Sequence, residues 1–418
     1  MASSLAVVGL GYVGLPLARR ACEVGLSVAG LDVDPAVVAG LTAGRSHVGD
    51  VADADVRAMR AAGFAATGDA AVIGGVDTVA VCVPTGLDGA GAPDLADLVA
   101  AAGTVADHLR PGTLVVVEST SFPGTTDELV RPILERGGLR AGVDFALAYS
   151  PERIDPGNDR YGLATTPKIV AGYTPVCAKR CQVFYEALAA EVVVAVGTRE
   201  AEMAKLLENA YRSVNIALVN EVATVCDALG VDVWDVVRCA ATKPFGFASF
   251  RPGPGVGGHC IPVDPVYLAH RAAGAGLDTP LLAAAGAVNA AMPDYVVRRA
   301  RRLLARAGRP LSGADVLLLG VTYKPDVADV RESPAVPVVR GLRAAGAAVR
   351  YHDPYVPRLV VDGAEVTRAA DLSAVADADL TVVLADHSAY DLDALAAAAP
   401  ALLDTRGRIH DTGQAERL

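Results

Sequence analysis

SLAVVGLGYVGLPLARRACEVGLSVAGLD, residues 4–32, decides the fold. A short apolar run ends at Gly9, and three glycines then have the G-x-G-x-x-G spacing that opens a dinucleotide-binding βαβ unit. The first glycine permits a tight turn, the second lets the backbone approach a pyrophosphate, and the third lets helix and strand pack closely. The residues of this turn that are predicted to bind the cofactor are Gly9, Gly11, Tyr12, Val13 and Gly14.

A second apolar run ends at Asp32, 21 residues after Gly11. An acidic residue about 20 positions along binds the ribose hydroxyls of the adenosine half. Its charge repels a 2′-phosphate, so the pattern predicts NAD rather than NADP.

Further apolar runs at 76–84, 112–120 and 145–153 alternate with segments of helical spacing. This alternation predicts a parallel, doubly wound sheet, which binds ligands beyond the carboxyl ends of its strands. The candidate residues at those ends are Pro84, Thr85, Ser119, Thr120 and Glu152, and the first four are predicted to bind the cofactor.

A long helix is predicted between Thr198, a suitable cap, and Gly230, a suitable stop. Lys205 and Asn209 are four residues apart and therefore project from one face of it. Taken alone, such a pair is typical of a solvated helix edge; only its surroundings in the fold would make it functional. More helix is expected over about 264–306, where an all-helical middle often forms a dimer interface.

The stretch RPGPGVGGHCIPVDP, residues 251–265, places one thiol and one carboxylate in a loop of glycines and prolines. Such a composition excludes a helix interior or a central strand. Cys260 is one of seven scattered cysteines, an odd number without a spacing framework, which favours a reduced protein. Cys177 and Cys181, four apart, are interpreted as small buried hydrophobic residues. Metal binding by the adjacent His259 and Cys260 is disfavoured, because neighbouring residues rarely share a tetrahedral ion.

The last third repeats the strand–helix alternation without the glycine triplet, and its first strand leads into Lys324 and Arg331. We therefore predict an α/β protein with two Rossmann-like doubly wound parallel-sheet domains, joined by the long central helix and a helical middle domain. The predicted boundaries are 1–197 for NAD binding, 198–306 for the helical domain and 307–418 for the C-terminal Rossmann-like domain.

Composition narrows the class of protein. The 418 residues are 52% hydrophobic and 20% charged with a net charge of −11, typical of a globular protein and not of a general nucleic-acid binder. No apolar run reaches the length of a membrane span, and no signal-peptide pattern opens the chain. A cytoplasmic protein without nucleic-acid or membrane partners is expected.

Six segments in this order resemble the UDP-glucose/GDP-mannose dehydrogenase family over nearly the whole chain. They are GLGYVGLPLA, ESTSFPGTT, SPERIDPGN, EMAKLLENAYR, PGPGVGGHCIPVDP and GVTYKPDVADVRESPA. SPERIDPGN, KPFGF and GGHCIPVDP resemble the branch acting on UDP-N-acetylhexosamines. The resemblance implies oxidation of a sugar CH2OH to a carboxylate with two NAD+ through a thiohemiacetal and a thioester on Cys260.

The resemblance also implies roles for the candidate residues. Lys205 and Asn209 would stabilise the oxyanion. Asp264, Glu152 and Thr120 would manage proton transfers and the hydrolytic water. Lys324 would reach the substrate and Arg331 the cofactor. The expected substrate contacts are Glu152, Arg153, Lys205, Asn209, Arg251, Gly257 and Lys324.

Arg251 and Phe122 depart from the family pattern, where an uncharged residue and a tyrosine are more usual. Because Arg251 is expected near the sugar, the alternative substrate is UDP-glucose or another nucleotide sugar. A non-enzymatic nucleotide sensor on the same fold is a further alternative, and the presence of all the candidate catalytic residues argues against it.

The protein is expected to form a homodimer or a higher homo-oligomer. No metal is expected.

Overall fold

The protein, analysed as a computed structural model, is described over residues 4–155, 158, 160–410 and 415–418. Pro156 and Gly157 of the SPERIDPGN segment lie outside these described residues. The chain divides into two compact units. One comprises Met1–Glu208 and Val266–Leu277, and the other comprises Asn209–Pro265 and Asp278–Leu418. The three predicted domain boundaries stay a prediction.

The strands of the first unit follow the predicted apolar runs. They are β1 (Ser4–Val8), β2 (Ser27–Leu31), β3 (Ala65–Thr67), β4 (Thr78–Val81), β5 (Gly86–Leu87), β6 (Pro93–Asp94), β7 (Leu114–Val117), β8 (Ala146–Tyr149), β9 (Lys168–Gly172) and β10 (Val192–Val194). Over the described ranges, eight of them form one sheet in the order β10-β9-β8-β7-β4-β1-β2-β3, and β5 and β6 form a separate hairpin.

Neighbouring strands from β8 through β7, β4, β1 and β2 to β3 are parallel, as predicted. β9 reverses this direction and pairs antiparallel with β8. The sequence analysis did not predict β9 or β10. β9 opens with a lysine, and β10 is a three-residue strand at the sheet edge.

Helices of the first unit separate the strands, and hydrophobic clusters lie around the sheet. They are α1 (Gly14–Glu23), α2 (Pro35–Thr42), α3 (Asp53–Ala61), α4 (Ala96–His108), α5 (Arg131–Leu134) and α6 (Pro175–Glu186). The apolar residues on the inner face of α1 are buried: Leu15, Leu17, Ala18 and Ala21. Cys177 and Cys181 are buried core residues of α6, as interpreted from their spacing.

The middle of the chain is helical. It contains α7 (Thr198–Leu229), α8 (Val233–Ala240), α9 (Asp264–Gly274) and α10 (Pro280–Arg306). The predicted long helix is confirmed, and Gly230, with φ +68°, ends it in the left-handed conformation that favours glycine. The predicted region 264–306 is two helices, because Gly276 has φ +75° and Pro280 opens a new helix.

A second α/β sheet occupies the last third. Its elements are β11 (Asp315–Leu319), α11 (Ala335–Ala344), β12 (Ala348–His352), β13 (Val360–Val361), β14 (Ala364–Glu365), β15 (Thr367–Arg368), α12 (Ala374–Asp377), β16 (Leu380–Val383), α13 (Leu392–Ala398), β17 (Leu402–Asp404) and β18 (Ala415–Arg417). Six strands, counted over the described residues, pair in the parallel order β15-β12-β11-β16-β17-β18.

Both sheets are Rossmann-like, so the predicted fold class is confirmed. The strands of each are buried between hydrophobic clusters, as parallel sheets require. In the part of the chain that the structure describes, no helix is long and apolar enough to cross a membrane.

Candidate active site

The glycine-rich turn after β1 has the geometry of a phosphate cradle. Gly9 has φ +89°, and a Cβ there would lie 2.8 Å from the carbonyl oxygen of Cys82, so the position requires glycine. A Cβ on Gly14, where α1 begins, would overlap the carbonyl oxygen of Gly9. By contrast, no described atom lies within 4 Å of a Cβ built on Gly11. The turn therefore packs tightly on the protein side and leaves room for a ligand beside Gly11. Tyr12 and Val13 complete the turn.

Asp32 lies at the carboxyl end of β2 with its carboxylate fixed by the backbone. Its Oδ2 accepts a hydrogen bond from the Leu10 N–H at 2.8 Å, and its Oδ1 accepts one from the Asp34 N–H at 2.9 Å. Asp32 also borders a surface cavity, whose other lining residues are Val33, Pro35, Val38, Ala39, Thr42, Ala43 and Gly68. The cradle and this cavity fit the pyrophosphate and the adenosine of a dinucleotide.

The next ligand-edge candidates follow β4 and β7, which are neighbours in the sheet. Thr85 is buried, whereas Pro84 is exposed and Thr120 half-buried. The Ser119 hydroxyl donates to the Val83 carbonyl oxygen at 2.8 Å and so ties the two strand ends together. That bond gives Ser119 a structural part, and its contact with a cofactor stays a prediction.

Glu152 follows β8 and is held by three donors. Its Oε1 accepts hydrogen bonds from the N–H groups of Arg153 and Ile154 at 2.6 and 2.5 Å. Its Oε2 lies 3.3 Å from the Lys168 ammonium. These three donors fix the orientation of the carboxylate. The neighbouring Arg153 turns away to form an ion pair with Glu208 at 2.7 Å.

Glu202, on α7, anchors the loop that follows Thr120. Its carboxylate accepts hydrogen bonds from the Gly124 N–H at 2.6 Å, the Thr126 N–H at 2.9 Å and the Thr126 hydroxyl at 2.7 Å. The side chain is fully buried, and this burial raises its pKa from 4.5 to about 7 against the lowering effect of the hydrogen bonds. The sequence analysis missed Glu202, because nothing local distinguishes it from Glu200 two residues earlier.

Asp264 and Asn209, both of the second unit, form a buried pair. The Asn209 amide nitrogen donates to Asp264 Oδ2 at 2.6 Å. Asp264 begins α9, and its N–H donates to the Cys260 carbonyl oxygen at 2.9 Å, so the thiol lies one turn before the carboxylate. Cys260 is half-buried, and none of the seven cysteines is in a disulfide.

Lys205 precedes Asn209 by one turn of α7. The residue is buried, with 7% of its surface exposed. Among the described residues, no hydrogen bond or ion pair joins the Lys205 ammonium to a partner. Because burying an uncompensated charge is unfavourable, an anionic group on a ligand is the natural partner. The surroundings therefore distinguish this lysine from the solvated helix edge that its sequence alone suggests.

The loop before Cys260 packs against the loop after β11. A Cβ on Gly257 would lie 2.6 Å from the Glu332 carbonyl oxygen and 2.7 Å from the Tyr323 Cβ. Gly258 has φ +78°, and its N–H donates to the Arg331 carbonyl oxygen at 3.0 Å. The two glycines thus permit a close approach between the backbones of these two loops.

The loop after β11 carries both predicted cations. Lys324 is half-buried with its ammonium 5.9 Å from the centre of the Tyr323 ring. Arg331 forms an ion pair with Asp329 at 2.6 Å. Its predicted contact with the cofactor stays a prediction, as does that of the exposed Arg251 with the sugar.

Arg406, after β17, is a candidate that the sequence analysis missed. Its Nε donates to the Leu384 carbonyl oxygen at 2.6 Å, whereas its buried Nη2 has no hydrogen-bond partner among the described residues. Burial lowers the pKa of this guanidinium from its usual value. A Cβ on Gly253, in the loop before Cys260, would lie 3.2 Å from Nη1. The rule that parallel sheets bind ligands beyond the carboxyl ends of their strands would have identified Arg406, had it been applied to LLDTRG, residues 402–407.

Comparisons with known proteins place these features in one family. Its NAD-binding, central and UDP-binding domain models match residues 3–189, 199–291 and 317–411, respectively. The chain belongs to the UDP-glucose/GDP-mannose dehydrogenase family. The predicted cofactor, NAD, is thereby confirmed, and the UDP-binding domain supports a UDP-sugar substrate.

The similar members of this family include enzymes for several sugars. UDP-N-acetyl-D-glucosamine 6-dehydrogenase of Pseudomonas aeruginosa is 38% identical over 84% of this chain and 83% of its own. The NDP-N-acetyl-D-galactosaminuronic acid dehydrogenase of Ralstonia solanacearum is 34% identical over 97% and 96%.

Solved structures of the family agree closely with this fold. The UDP-D-ManNAc dehydrogenase of Pyrococcus horikoshii has a TM-score of 0.89 at 32% identity, covering 99% of this chain and 98% of that one. A UDP-glucose dehydrogenase of Pyrobaculum islandicum has a TM-score of 0.87 at 30% identity, covering 100% and 97%. Fold similarity therefore does not separate the candidate sugars.

Glu202 predicts a pH dependence of stability. Because folding raises its pKa from 4.5 to about 7, the native state holds this proton more tightly than the unfolded state. The resulting stability is complete below pH 4.5 and is lost as the pH rises through about 7. Relative to Glu202→Gln, we expect the wild type to lose about 3 kcal/mol of unfolding free energy over this range, measured by denaturant titration at each pH. Exposed Glu200→Gln is the control, and parallel curves for wild type and Glu202→Gln would contradict the assignment.

Gly257→Ala tests the close approach of the two loops. The added methyl meets backbone, so we expect the Cys260 loop to shift and kcat/KM to fall by about tenfold or more. Gly49→Ala is the control, because no described atom lies within 4 Å of its Cβ. Unchanged kinetics in Gly257→Ala would show that the loop yields without moving the thiol.

Proposed function

We propose that this protein oxidises the C6 hydroxymethyl group of a UDP-N-acetylhexosamine to the carboxylate, using two NAD+ and one water per sugar. The observation that carries the proposal is Cys260 placed one turn before the buried Asp264–Asn209 pair. It is supported by relatives named for UDP-N-acetyl sugars.

The nucleophile in this proposal is Cys260. The first oxidation converts the C6 alcohol to an aldehyde. The thiol then adds to C6, forming a carbon–sulfur bond and a thiohemiacetal. This adduct is needed because an aldehyde does not readily release its remaining hydride, whereas the thiohemiacetal does. Oxidation leaves a thioester, and water breaks its carbon–sulfur bond to release the carboxylate and the thiol. Bound NAD+ accepts one hydride in each oxidation.

The polar side chains would stabilise charge and move protons. Asn209 has a second amide N–H beyond the one given to Asp264, and together with the Lys205 ammonium it would stabilise the oxyanion on C6. Asp264 would orient Asn209, and Asp264 and Thr120 would each take part in the proton transfers. Glu152, an acceptor oriented by three donors, would act as the general base toward the alcohol and the water.

Cations of the UDP-binding domain would bind the nucleotide. Lys324 lies in the loop after β11 and Arg406 in the loop after β17, and parallel sheets bind ligands at this edge. The buried Nη2 of Arg406 suits a phosphate oxygen, which would supply its missing acceptor. Gly257 would allow the sugar to approach the backbone, and Arg251 would influence which sugar is accepted.

A second candidate substrate is UDP-glucose, on the specific ground of the Pyrobaculum islandicum structure. The reaction and the residues would be the same, and only the C2 substituent of the sugar would differ.

We also propose a homodimer, formed along α7. Large apolar side chains lie exposed on this helix at intervals of seven, seven and four residues: Tyr211, Leu218, Val225 and Leu229. This spacing gives one stripe, as in helices that pack against a second helix. A second copy of the chain would cover it.

NADH yield tests the proposed reaction. With UDP-GlcNAc, UDP-ManNAc and UDP-glucose compared side by side, we expect two NADH per mole of one UDP-N-acetylhexosamine. Cys260→Ala should lower kcat by roughly 10³-fold or more, because removing a nucleophile removes the covalent route. Cys239→Ala, at an exposed cysteine, is the matched control. One NADH per sugar, or full activity in Cys260→Ala, would refute the mechanism, and UDP-glucose as the preferred sugar would select the alternative.

The apolar stripe predicts a change of oligomeric state. Leu218→Arg, which places a charge in the stripe, should convert a dimer to monomers in light scattering with size exclusion. Val143→Arg, at an exposed valine outside the stripe, should leave the dimer intact. A monomeric wild type, or a dimeric Leu218→Arg, would contradict this interface.

A further inference from the structure

A buried lysine lies beside Glu152 in the first unit. Lys168 begins β9, and the residue is only 4% exposed. Its ammonium donates to Glu118 Oε2 at 2.7 Å and lies 3.3 Å from Glu152 Oε2. The reversal of β9 brings this lysine back to the ends of β7 and β8, where the two glutamates stand.

Glu118 fixes the lysine from the opposite side. It follows β7 and is fully buried, and its Oε1 accepts a hydrogen bond from the Tyr185 hydroxyl of α6. Both Glu118 oxygens therefore act as acceptors, which is the pattern of an ionised carboxylate. The Lys168 ammonium also lies 5.1 Å from the centre of the Tyr185 ring. Its position is thus set by groups that take no part in the proposed chemistry.

The charges in this cluster can be assigned. Burial alone would lower the pKa of Lys168, but Glu118 and Glu152 outweigh it and raise that pKa above its usual range. Burial raises the pKa of Glu118 and far more that of Tyr185 and the Cys82 and Cys181 thiols, so the phenol and the thiols stay neutral. The titratable groups that face Lys168 and Glu152 are Glu118, Tyr185, Cys82, Cys181 and Arg153, the last in an ion pair with Glu208.

We propose that Lys168 is a positioning residue for the oxidation, which holds the Glu152 carboxylate ionised and oriented as the general base. The inference rests on the proposed function, in which Glu152 accepts protons. The Lys168 ammonium is shared by two carboxylates. The negative charge of Glu118 therefore weakens the stabilisation that the ammonium gives to the Glu152 carboxylate. Lys168 and Glu118 therefore act on Glu152 in opposite directions.

This opposition gives a test that a purely structural role would not reproduce. The acid limb of the kcat/KM profile reports the base of the free enzyme. In Lys168→Met the positive charge beside Glu152 is lost, which favours the protonated form of Glu152. The acid limb should therefore move to higher pH by about one unit or more. In Glu118→Gln the Lys168 ammonium stabilises only the Glu152 carboxylate, so the acid limb should move to lower pH. Lys168→Arg keeps the charge and should restore the wild-type profile.

Controls separate these shifts from damage to the fold. Lys179→Met removes an exposed lysine that bonds only Gln182 among the described residues, and its profile should match the wild type. Thermal unfolding and NAD affinity are measured for every variant. If Lys168→Met does not fold, the other two variants still test the inference. Glu118→Gln should shift the acid limb to lower pH, and Lys168→Arg should leave it unchanged.

Two results would overturn the inference: an unchanged acid limb in folded Lys168→Met or in Glu118→Gln, or shifts of the same sign in both. Two NADH per sugar from the wild type together with either result would leave the proposed function standing and remove only the role of Lys168. A wild type that produces no NADH from any of the three sugars would remove both.

Discussion

Parallel strand pairing places the ends of several strands at a common edge in each sheet. In the first sheet, β4, β7 and β8 run in register, and Thr85, Ser119 and Glu152 follow them at that edge. In the second sheet, Lys324 lies in the loop after β11 and Arg406 in the loop after β17. Residues far apart in sequence thus lie at one edge of a sheet because of hydrogen bonding between strands.

The burial of charge distinguishes the functional candidates from ordinary surface residues. Lys205 is buried without a protein counter-ion among the described residues, whereas Lys168 is buried between two carboxylates. The first arrangement is unfavourable until an anion binds, and the second is already balanced. The two lysines therefore differ in kind. One is suited to a ligand, and the other to holding a neighbouring group in place.

Local signals predicted one part of this protein and failed for another. The glycine triplet, Asp32 and the long helix were predictable because each depends on residues close in sequence. Lys168 and Glu118 were not, since they are 50 residues apart and meet only because β9 reverses direction. Glu202 is similar, because its importance comes from a loop that lies 76 residues earlier. Arg406 was within reach of the strand-end rule, which was applied to the first sheet but not to this strand.

Glu202, Lys205 and Asn209 are buried polar residues that share one face of α7. They anchor a loop, present a cation and hold Asp264, and a rigid helix fixes the spacing between them. Each residue added to a helix rotates the remainder of that helix by about 100° and moves it about 1.5 Å along the axis. One inserted or deleted residue between positions 202 and 209 would therefore turn Asn209 away from the face of Glu202. A change of length in this segment should therefore disturb the site more than a change of side chain on its outer face.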